Sequence, residues 1–213
     1  MIFHDIQQNK DEWFDLRAGK INGSKLAVIM ANYGKAFGEP AKKYAADIAL
    51  EQITGKPCRS NSLSSPHLER GHEEEPVARE IYQDQLFCDV TNGGIWIDGD
   101  SACSPDGMVG DDGMVEIKSH LSSIHFDIVR KQSYESVYKW QLIGNLKLCQ
   151  RNWIDYISYC SDYPEEKQIY VYRLHKENLK DEFNKIDIRV AEFRELIKSC
   201  KNTILQSNYF NKN

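Results

Sequence analysis

Three side chains within one short stretch have the types and spacing to act on a phosphate ester. Asp106 lies in Ser101-Ala102-Cys103-Ser104-Pro105-Asp106-Gly107-Met108, and Glu116 and Lys118 lie in Val115-Glu116-Ile117-Lys118. Between them Gly110-Asp111-Asp112-Gly113 is a strong turn sequence, so the stretch reads as two short strands of a hairpin. Side chains alternate along a strand, which puts Glu116 and Lys118 on one face and Ile117 on the other. Phosphodiester cleavage needs a nucleophile at neutral pH and neutralisation of the charge that develops on the phosphoryl oxygens. Two carboxylates can gather a hard divalent cation, Mg²⁺ or Mn²⁺, which lowers the pKa of a bound water. The main-chain carbonyl of Ile117 is a further hard ligand. The Lys118 ammonium can deprotonate or orient that water, or offset negative charge in the transition state. Alone, Val-Glu-Ile-Lys is an ordinary edge strand with its charges in solvent.

The hairpin register carries a structural demand. With a four-residue loop at Gly110–Gly113, Val109 pairs with Met114 and Asp106 falls opposite Ile117. The two carboxylates then converge only through an irregularity, and Pro105 and Gly107 predict a bulge or break there.

The elements that must position these residues follow from periodicity and punctuation. Asp11 to Ala18 reads as a helix with Trp13, Leu16 and Phe14 apolar and Gly19 as its stop. Asn22 or Ser24 can cap a helix over Lys25 to Met30, and with Arg17 nearby that N-terminus is either an anion site or an ordinary capped helix. Ala41 to Thr54 is a helix with Tyr44, Ile48, Leu50 and Ile53 on its buried side. A loop at Tyr33 to Pro40 precedes it and a polar one at Lys56 to Ser65 follows. Pro66 to Leu86 is the strongest helical segment, with Leu68, Val77, Ile81 and Tyr82 apolar. Its His72-Glu73-Glu74-Glu75 run spreads over directions about 100° apart, so one or two glutamates at most face a common site. A solvated face is the bland reading of that run, and of His72.

Phe87–Thr91 and Ile95–Asp98 read as a hairpin across Asn92-Gly93-Gly94, and with the Asp106 hairpin they predict an antiparallel meander. Helices follow at Ser122–Arg130 and Glu135–Leu148, strands at Trp153–Tyr159 and Ile169–Leu174, and one or two helices over Lys176–Leu205. Core candidates in the last are Leu179, Phe183, Ile186, Ile188, Val190, Phe193, Leu196 and Ile197. Residues 206–213, rich in Asn and Lys, are expected to fray. The order predicts one α/β (α+β) domain over residues 1–213, with a central mixed sheet flanked by helices.

Composition narrows the class. The 213 residues are 41% hydrophobic and 28% charged, a globular balance. No apolar run approaches a bilayer span, and Met-Ile-Phe-His-Asp-Ile-Gln has no features of a signal peptide. Six scattered cysteines without a Cys-x-x-Cys pair suit reduced thiols in a cytoplasm. The net charge of −5 is a weak argument against a nucleic-acid partner, because screening lets a local basic groove act on its own.

Pro105-Asp106, a spacer, then Glu116-x-Lys118 is the Pro-Asp…(Asp/Glu)-x-Lys pattern of a large nuclease superfamily with a restriction-endonuclease-like core. Four motifs make the resemblance specific. Trp13-x-x-x-Arg17-x-Gly19-x-Ile21-x-x-Ser24 is similar to the N-terminal signature of the bacteriophage lambda exonuclease family, the YqaJ-like viral recombinase exonucleases. Gly71-x-x-x-Glu75-x-x-Ala78-Arg79 resembles its acidic helix. Ala102 to Gly107 matches its Cys-Ser-Pro-Asp-Gly core, and Tyr138-x-x-Gln141 a motif common in this branch.

The resemblance implies a metal site made by Glu75, Asp106, Glu116 and the Ile117 carbonyl, with two Mg²⁺ or Mn²⁺ ions when both bind. It makes Lys118 and Gln141 catalytic partners, and Arg17, Ser24 and Ser104 a pocket for a 5′-phosphate. It implies a 5′→3′ exonuclease on double-stranded DNA ends, leaving 3′ overhangs for a single-strand annealing protein, and a homotrimeric ring in a bacterial or phage-infected cytoplasm. Ile143 stands where a second glutamine often follows, and Asn145 is no simple replacement for it. Lys35, Lys42, Lys43, Arg59, Arg70, Arg130, Lys131 and Lys139 are candidate phosphate contacts. An endonuclease or single-strand nuclease on the same fold, and a catalytically silent recombination scaffold, are the alternatives.

Overall fold

The computed structural model describes residues 1–58 and 66–207. Arg59, the side chain of Leu68 and the tail from residue 208 lie outside the described residues. In chain order the elements are β1 (Ile2–His4), α1 (Asp11–Arg17), β2 (Ile21–Asn22), a 3-10 turn (Gly23–Lys25), α2 (Leu26–Met30), α3 (Glu39–Thr54) and α4 (Pro66–Leu86). There follow β3 (Val90–Asn92), β4 (Ile95–Asp98), β5 (Ser101–Cys103), β6 (Gly107–Val109), β7 (Gly113–Ser119), α5 (Ser122–Lys131), a 3-10 turn (Ser136–Tyr138) running into α6 (Lys139–Leu148), β8 (Trp153–Tyr159), β9 (Ile169–His175) and α7 (Lys180–Gln206).

The helices bury stripes that sequence periodicity locates only in part. α3 ends at Gly55, which takes the left-handed conformation that glycine tolerates. Its buried stripe is Ala41, Ala45, Ile48 and Ala49, whereas Leu50 is exposed and Ile53 half-buried. Small residues let α3 lie close against α7, and that approach outweighs the larger side chains on the adjacent face. α7 is one helix, with Ile186, Val190, Phe193 and Ile197 inward and Ile188 exposed, off the stripe. Among them sits a buried cation. Arg189 donates to the carbonyls of Ile29, Lys35 and Ala31, pairs with Glu192, and lies 3.6 Å over the Phe37 ring. Val77 on α4 is exposed, while Ala78 and Tyr82 carry that helix's contact with the sheet.

Two mixed sheets replace the single expected one. One has the order β3-β6-β7-β8-β9, with only β7 and β8 parallel, and the other the order β1-β4-β5-β2, with only β2 and β5 parallel. The anticipated meander does not form, because β3 and β4 do not pair: β3 joins β6, and β4 joins β1 and β5. The chain crosses between sheets at Gly93-Gly94 and crosses back at Ser104-Pro105-Asp106. The two crossings press together so closely that a Cβ on Gly93 would lie 1.8 Å from the Pro105 carbonyl oxygen. The Gln8 side chain donates to the same oxygen at 2.8 Å.

The register also differs by one residue from the four-residue-loop pairing. Val109 pairs with Gly113 and Gly107 with Val115, so the loop is Gly110–Asp112, and Asp106 comes level with Glu116. The break expected at Pro105 is present, since the strand is interrupted between Cys103 and Gly107.

β7 and β8 divide the interior as their alternation requires. Met114, Ile154 and Tyr156 join the larger core with α2, α3, α6 and α7, while Val115, Ile117, Ile157 and Tyr159 pack with Ala78 and Tyr82 of α4. A buried polar tie fixes α4 on that second face. Asp155 of β8 accepts from the Tyr82 hydroxyl at 2.7 Å and from Arg173 Nε and Nη2, each at 2.7 Å. Arg173 also stacks 3.7 Å over Trp153. Burial and the neighbouring carboxylate push the Tyr82 phenol well above its ordinary pKa. Tyr82→Phe removes a bond to a charged, buried acceptor, and urea unfolding is expected to show a loss of about 1.5–3 kcal/mol. A loss under about 0.5 kcal/mol would mean that Arg173 alone satisfies Asp155.

Candidate active site

Glu116 is the centre of the candidate site, a carboxylate only 1% exposed on the middle strand of the larger sheet. Its Oε1 accepts from Lys118 Nζ at 2.6 Å and from the Gln141 amide, and its Oε2 accepts from Asn145 Nδ2 at 3.0 Å. Asp106 sits where β6 begins. Its N–H donates to the Val115 carbonyl, and its Oδ2 accepts the Ile117 N–H at 2.7 Å, a ladder donor that the interrupted strand would otherwise leave unpaired. The same oxygen is 3.7 Å from Lys118 Nζ. Lys118 therefore stands between the two acids, 5.4 Å from the centre of the Tyr138 ring.

α4 brings the third acid. Arg79 Nη2 donates to Glu75 Oε1 at 2.7 Å and to the Asp106 carbonyl at 2.6 Å, so one guanidinium joins helix and strand. The other glutamates of the run face elsewhere. Glu74 accepts from Ser119 and Ser161, and Glu73 is exposed. Glu75, Asp106, Arg79, Gln8, Asn9 and His72 line a cleft of about 570 Å³, with His72 on its exposed rim.

The electrostatics are those of crowded acids. Burial, then repulsion from Asp106 and Glu75, pushes Glu116 up to about 7 in spite of Lys118. Burial and Asp106 likewise raise Glu75. Burial alone would lower Lys118, but Glu116 and Asp106 outweigh it and hold the ammonium above its ordinary value. Without an ion, Lys118 is thus a fixed cation, suited to charge stabilisation and to orienting a water. Among the described residues no three His, Cys, Asp or Glu side chains form a ready-made metal cage. Lys118, Gln141, Asn145 and Arg79 cap the acid oxygens instead. The donor set still suits a hard divalent cation, because the mutual repulsion that raises Glu116 is what such an ion relieves.

A second cluster adjoins the first through the Ser104–Asp106 segment. Arg17 Nη2 donates to Ser24 Oγ at 3.1 Å and Nη1 to Ser104 Oγ at 3.5 Å. The Trp13 indole N–H also donates to Ser104 Oγ at 2.9 Å, and the Arg17 guanidinium lies 4.0 Å over the Trp13 ring. Burial holds Arg17 below its ordinary pKa. Ser24 makes no helix cap, and neither does Asn22. The adjoining concavity, about 590 Å³, is lined by Arg17, Asn22, Lys25, Lys43 and Tyr44.

All eight side chains anticipated for the two sites fall in these two clusters. Sequence reasoning placed Trp13 on an apolar stripe and in the N-terminal signature but gave it no part in the pocket, and it missed the bridging role of Arg79. It also set Asn145 aside. Ile143 is fully buried in the core, whereas Asn145, one turn beyond Gln141 on the same helix face, delivers a second amide to Glu116. The i, i+4 spacing was the available signal. Of the candidate phosphate contacts, Lys43 borders the Arg17 concavity. Arg70 is tied to Glu74 and the Ser119 carbonyl, Lys139 to Glu182, Lys42 to Glu39, and Arg130 and Lys131 to Asp127.

Two mixed sheets flanked by helices, with an acid pair and a lysine beside their crossing, form the restriction-endonuclease-like class expected from the sequence. The YqaJ-like viral recombinase domain matches residues 12–152, and the chain belongs to that family. An alkaline exonuclease from Laribacter hongkongensis is similar in structure, with a TM-score of 0.76 and 26% identity over 92% of this chain and 99% of the other. The same enzyme in complex with dAMP matches equally. A phage-related exonuclease from Haemophilus somnus shares the fold at a TM-score of 0.69, 16% identity, and 90% and 99% coverage. No curated protein sequence matches the chain.

The raised Glu116 has a measurable sign. Between the ordinary value of 4.5 and the folded value of about 7, the folded state holds the extra proton, so this group's contribution to stability falls as pH rises through that window. Glu116→Gln removes the fall. In chelator, the stability of the variant relative to the parent is expected to rise by about 1–3 kcal/mol from pH 4.5 to 7 and to stay level above it. A difference flat across that range would show an unperturbed carboxylate.

Proposed function

We propose that this chain is a metal-dependent 5′→3′ exonuclease on double-stranded DNA, leaving 3′ overhangs for a single-strand annealing protein. The observation that carries the reading is the spacing of Ser104 and Asp106. One segment, fixed between two sheets, touches the Arg17–Ser24 cluster with one side chain and the Glu116–Lys118 cluster with another. An end phosphate gripped by Arg17, Ser24 and Ser104 would present a nearby phosphodiester to the acids. Glu75, Asp106, Glu116 and the Ile117 carbonyl would hold Mg²⁺ or Mn²⁺, two ions when both bind, supplying a water of lowered pKa and charge neutralisation. Lys118 holds its ammonium beside the reacting phosphate and offsets developing charge, and Gln141 fixes the Glu116 carboxylate.

The neighbour's complex with dAMP supports a site that takes a nucleoside monophosphate. The complete set of Glu75, Asp106, Glu116 and Lys118 disfavours a silent scaffold, which needs none of it. A homotrimeric ring and a cytoplasmic setting in a bacterium or phage-infected host complete the proposal. Among the described residues no helix is long and apolar enough to cross a membrane.

Digestion of three substrates with Mg²⁺ tests the reading. A 5′-phosphorylated linear duplex should be degraded faster than its 5′-hydroxyl counterpart, and a closed circle should survive. Cutting of the circle would make the enzyme an endonuclease. Lys118→Ala should lower the rate at least about 100-fold, by loss of a fixed charge at the reacting centre. Arg17→Ala should reduce the preference for phosphorylated ends about tenfold or more, the worth of a charge-assisted hydrogen bond. Retention of that preference would remove Arg17 from the pocket.

A further inference from the structure

We infer that Asn145 is a positioning residue of the candidate metal site, fixing the Glu116 carboxylate from an amide that is itself seated against the turn that carries Ser24. The inference rests on the active-site reading above and extends it to a residue outside the four motifs.

Three observations converge on this side chain. Asn145 is 1% exposed, although an uncharged amide in a core needs partners on both of its ends. Its Nδ2 donates to Glu116 Oε2 at 3.0 Å, the oxygen that neither Lys118 nor Gln141 touches. Gln141 and Lys118 thus hold one oxygen of the carboxylate and Asn145 the other, so both oxygens are held only while Asn145 is present. The second end of the amide, Oδ1, is buried without a hydrogen-bond partner. It abuts Gly23 so closely that a Cβ there would lie 2.4 Å away.

Gly23 is the link to the other cluster. The same added Cβ would lie 3.1 Å from the Cys103 Cβ. The glycine is therefore wedged between α6 and the end of β5, with Ser24 following it and Ser104 following Cys103. Asn145 touches at one end the acid proposed to bind metal, and at the other the turn proposed to hold the end phosphate. A core asparagine that only filled space would be replaceable by leucine. One that orients a ligand would not, since groups that orient metal ligands are typically worth 10–100-fold in metal affinity or activity.

The test is Mn²⁺ binding to the full-length chain without DNA, followed by the electron paramagnetic resonance of free Mn²⁺, for the parent, Asn145→Leu and Asn145→Ala. Both variants delete the amide, and the alanine form cannot clash with Gly23 if the leucine form fails to fold. Ile143→Ala serves as a comparison, because it hollows the same helix's packing without touching Glu116. We expect Mn²⁺ affinity 10–100-fold weaker in the Asn145 variants at a temperature where circular dichroism shows them folded. In Ile143→Ala we expect a lowered Tm with affinity within about twofold of the parent. Parent-like affinity in a folded Asn145 variant, or an equal loss in Ile143→Ala, overturns the assignment. A parent chain that binds no Mn²⁺ and cuts no DNA overturns the active-site reading itself, and this inference with it.

Discussion

The architecture depends on burying one carboxylate. Glu116 is almost wholly removed from water on the central strand, and a charge so placed is tolerated only with a cation and several donors around it. Each requirement recruits a different element. β7 supplies Lys118 two residues on, on the same face. α6 supplies Gln141 and Asn145 one turn apart. The Pro105 segment supplies Asp106, which shares Lys118 and adds repulsion. Crowding acids in this way disfavours the ion-free fold, a familiar sign of groups retained for their chemistry.

The second determinant is the double crossing between sheets. Gly93 and Pro105 lie against each other where the chain leaves one sheet and re-enters it, and only a glycine fits there. Residues 104–106 therefore belong to neither sheet. They are still held on both sides, by Gln8 at the Pro105 carbonyl and by Ile117 and Arg79 at Asp106. A segment released from strand pairing but fixed at each residue can aim successive side chains at different clusters, which a regular strand cannot do.

The parts legible in sequence are those governed by local rules. α4 and β8 have the bounds that their periodicity gave, and the four motifs led to the side chains that converge. What escaped is non-local. Asn92-Gly93-Gly94 has the composition of a hairpin turn, yet its glycine serves close approach to a segment a dozen residues away. Leu50 and Ile53 outrank alanines in hydrophobicity, but α3 was chosen for closeness to α7, which favours Ala45 and Ala49. Asn145 is one asparagine among several until α6 is laid across β7 and its amide meets Glu116.

Arg189 adds a consequence for how the chain can be divided. The family match ends at residue 152, yet the carbonyls that close α2 and begin its following loop are capped from α7, by a guanidinium far beyond that limit. Phe193, on the same helix, stacks with Tyr44, whose hydroxyl accepts the Asn22 N–H beside Ser24. A segment beyond the family match is thus the clasp on the part that carries the Arg17 and Ser24 signature. A fragment cut where the family match ends would keep every motif and lose the frame that holds them in register.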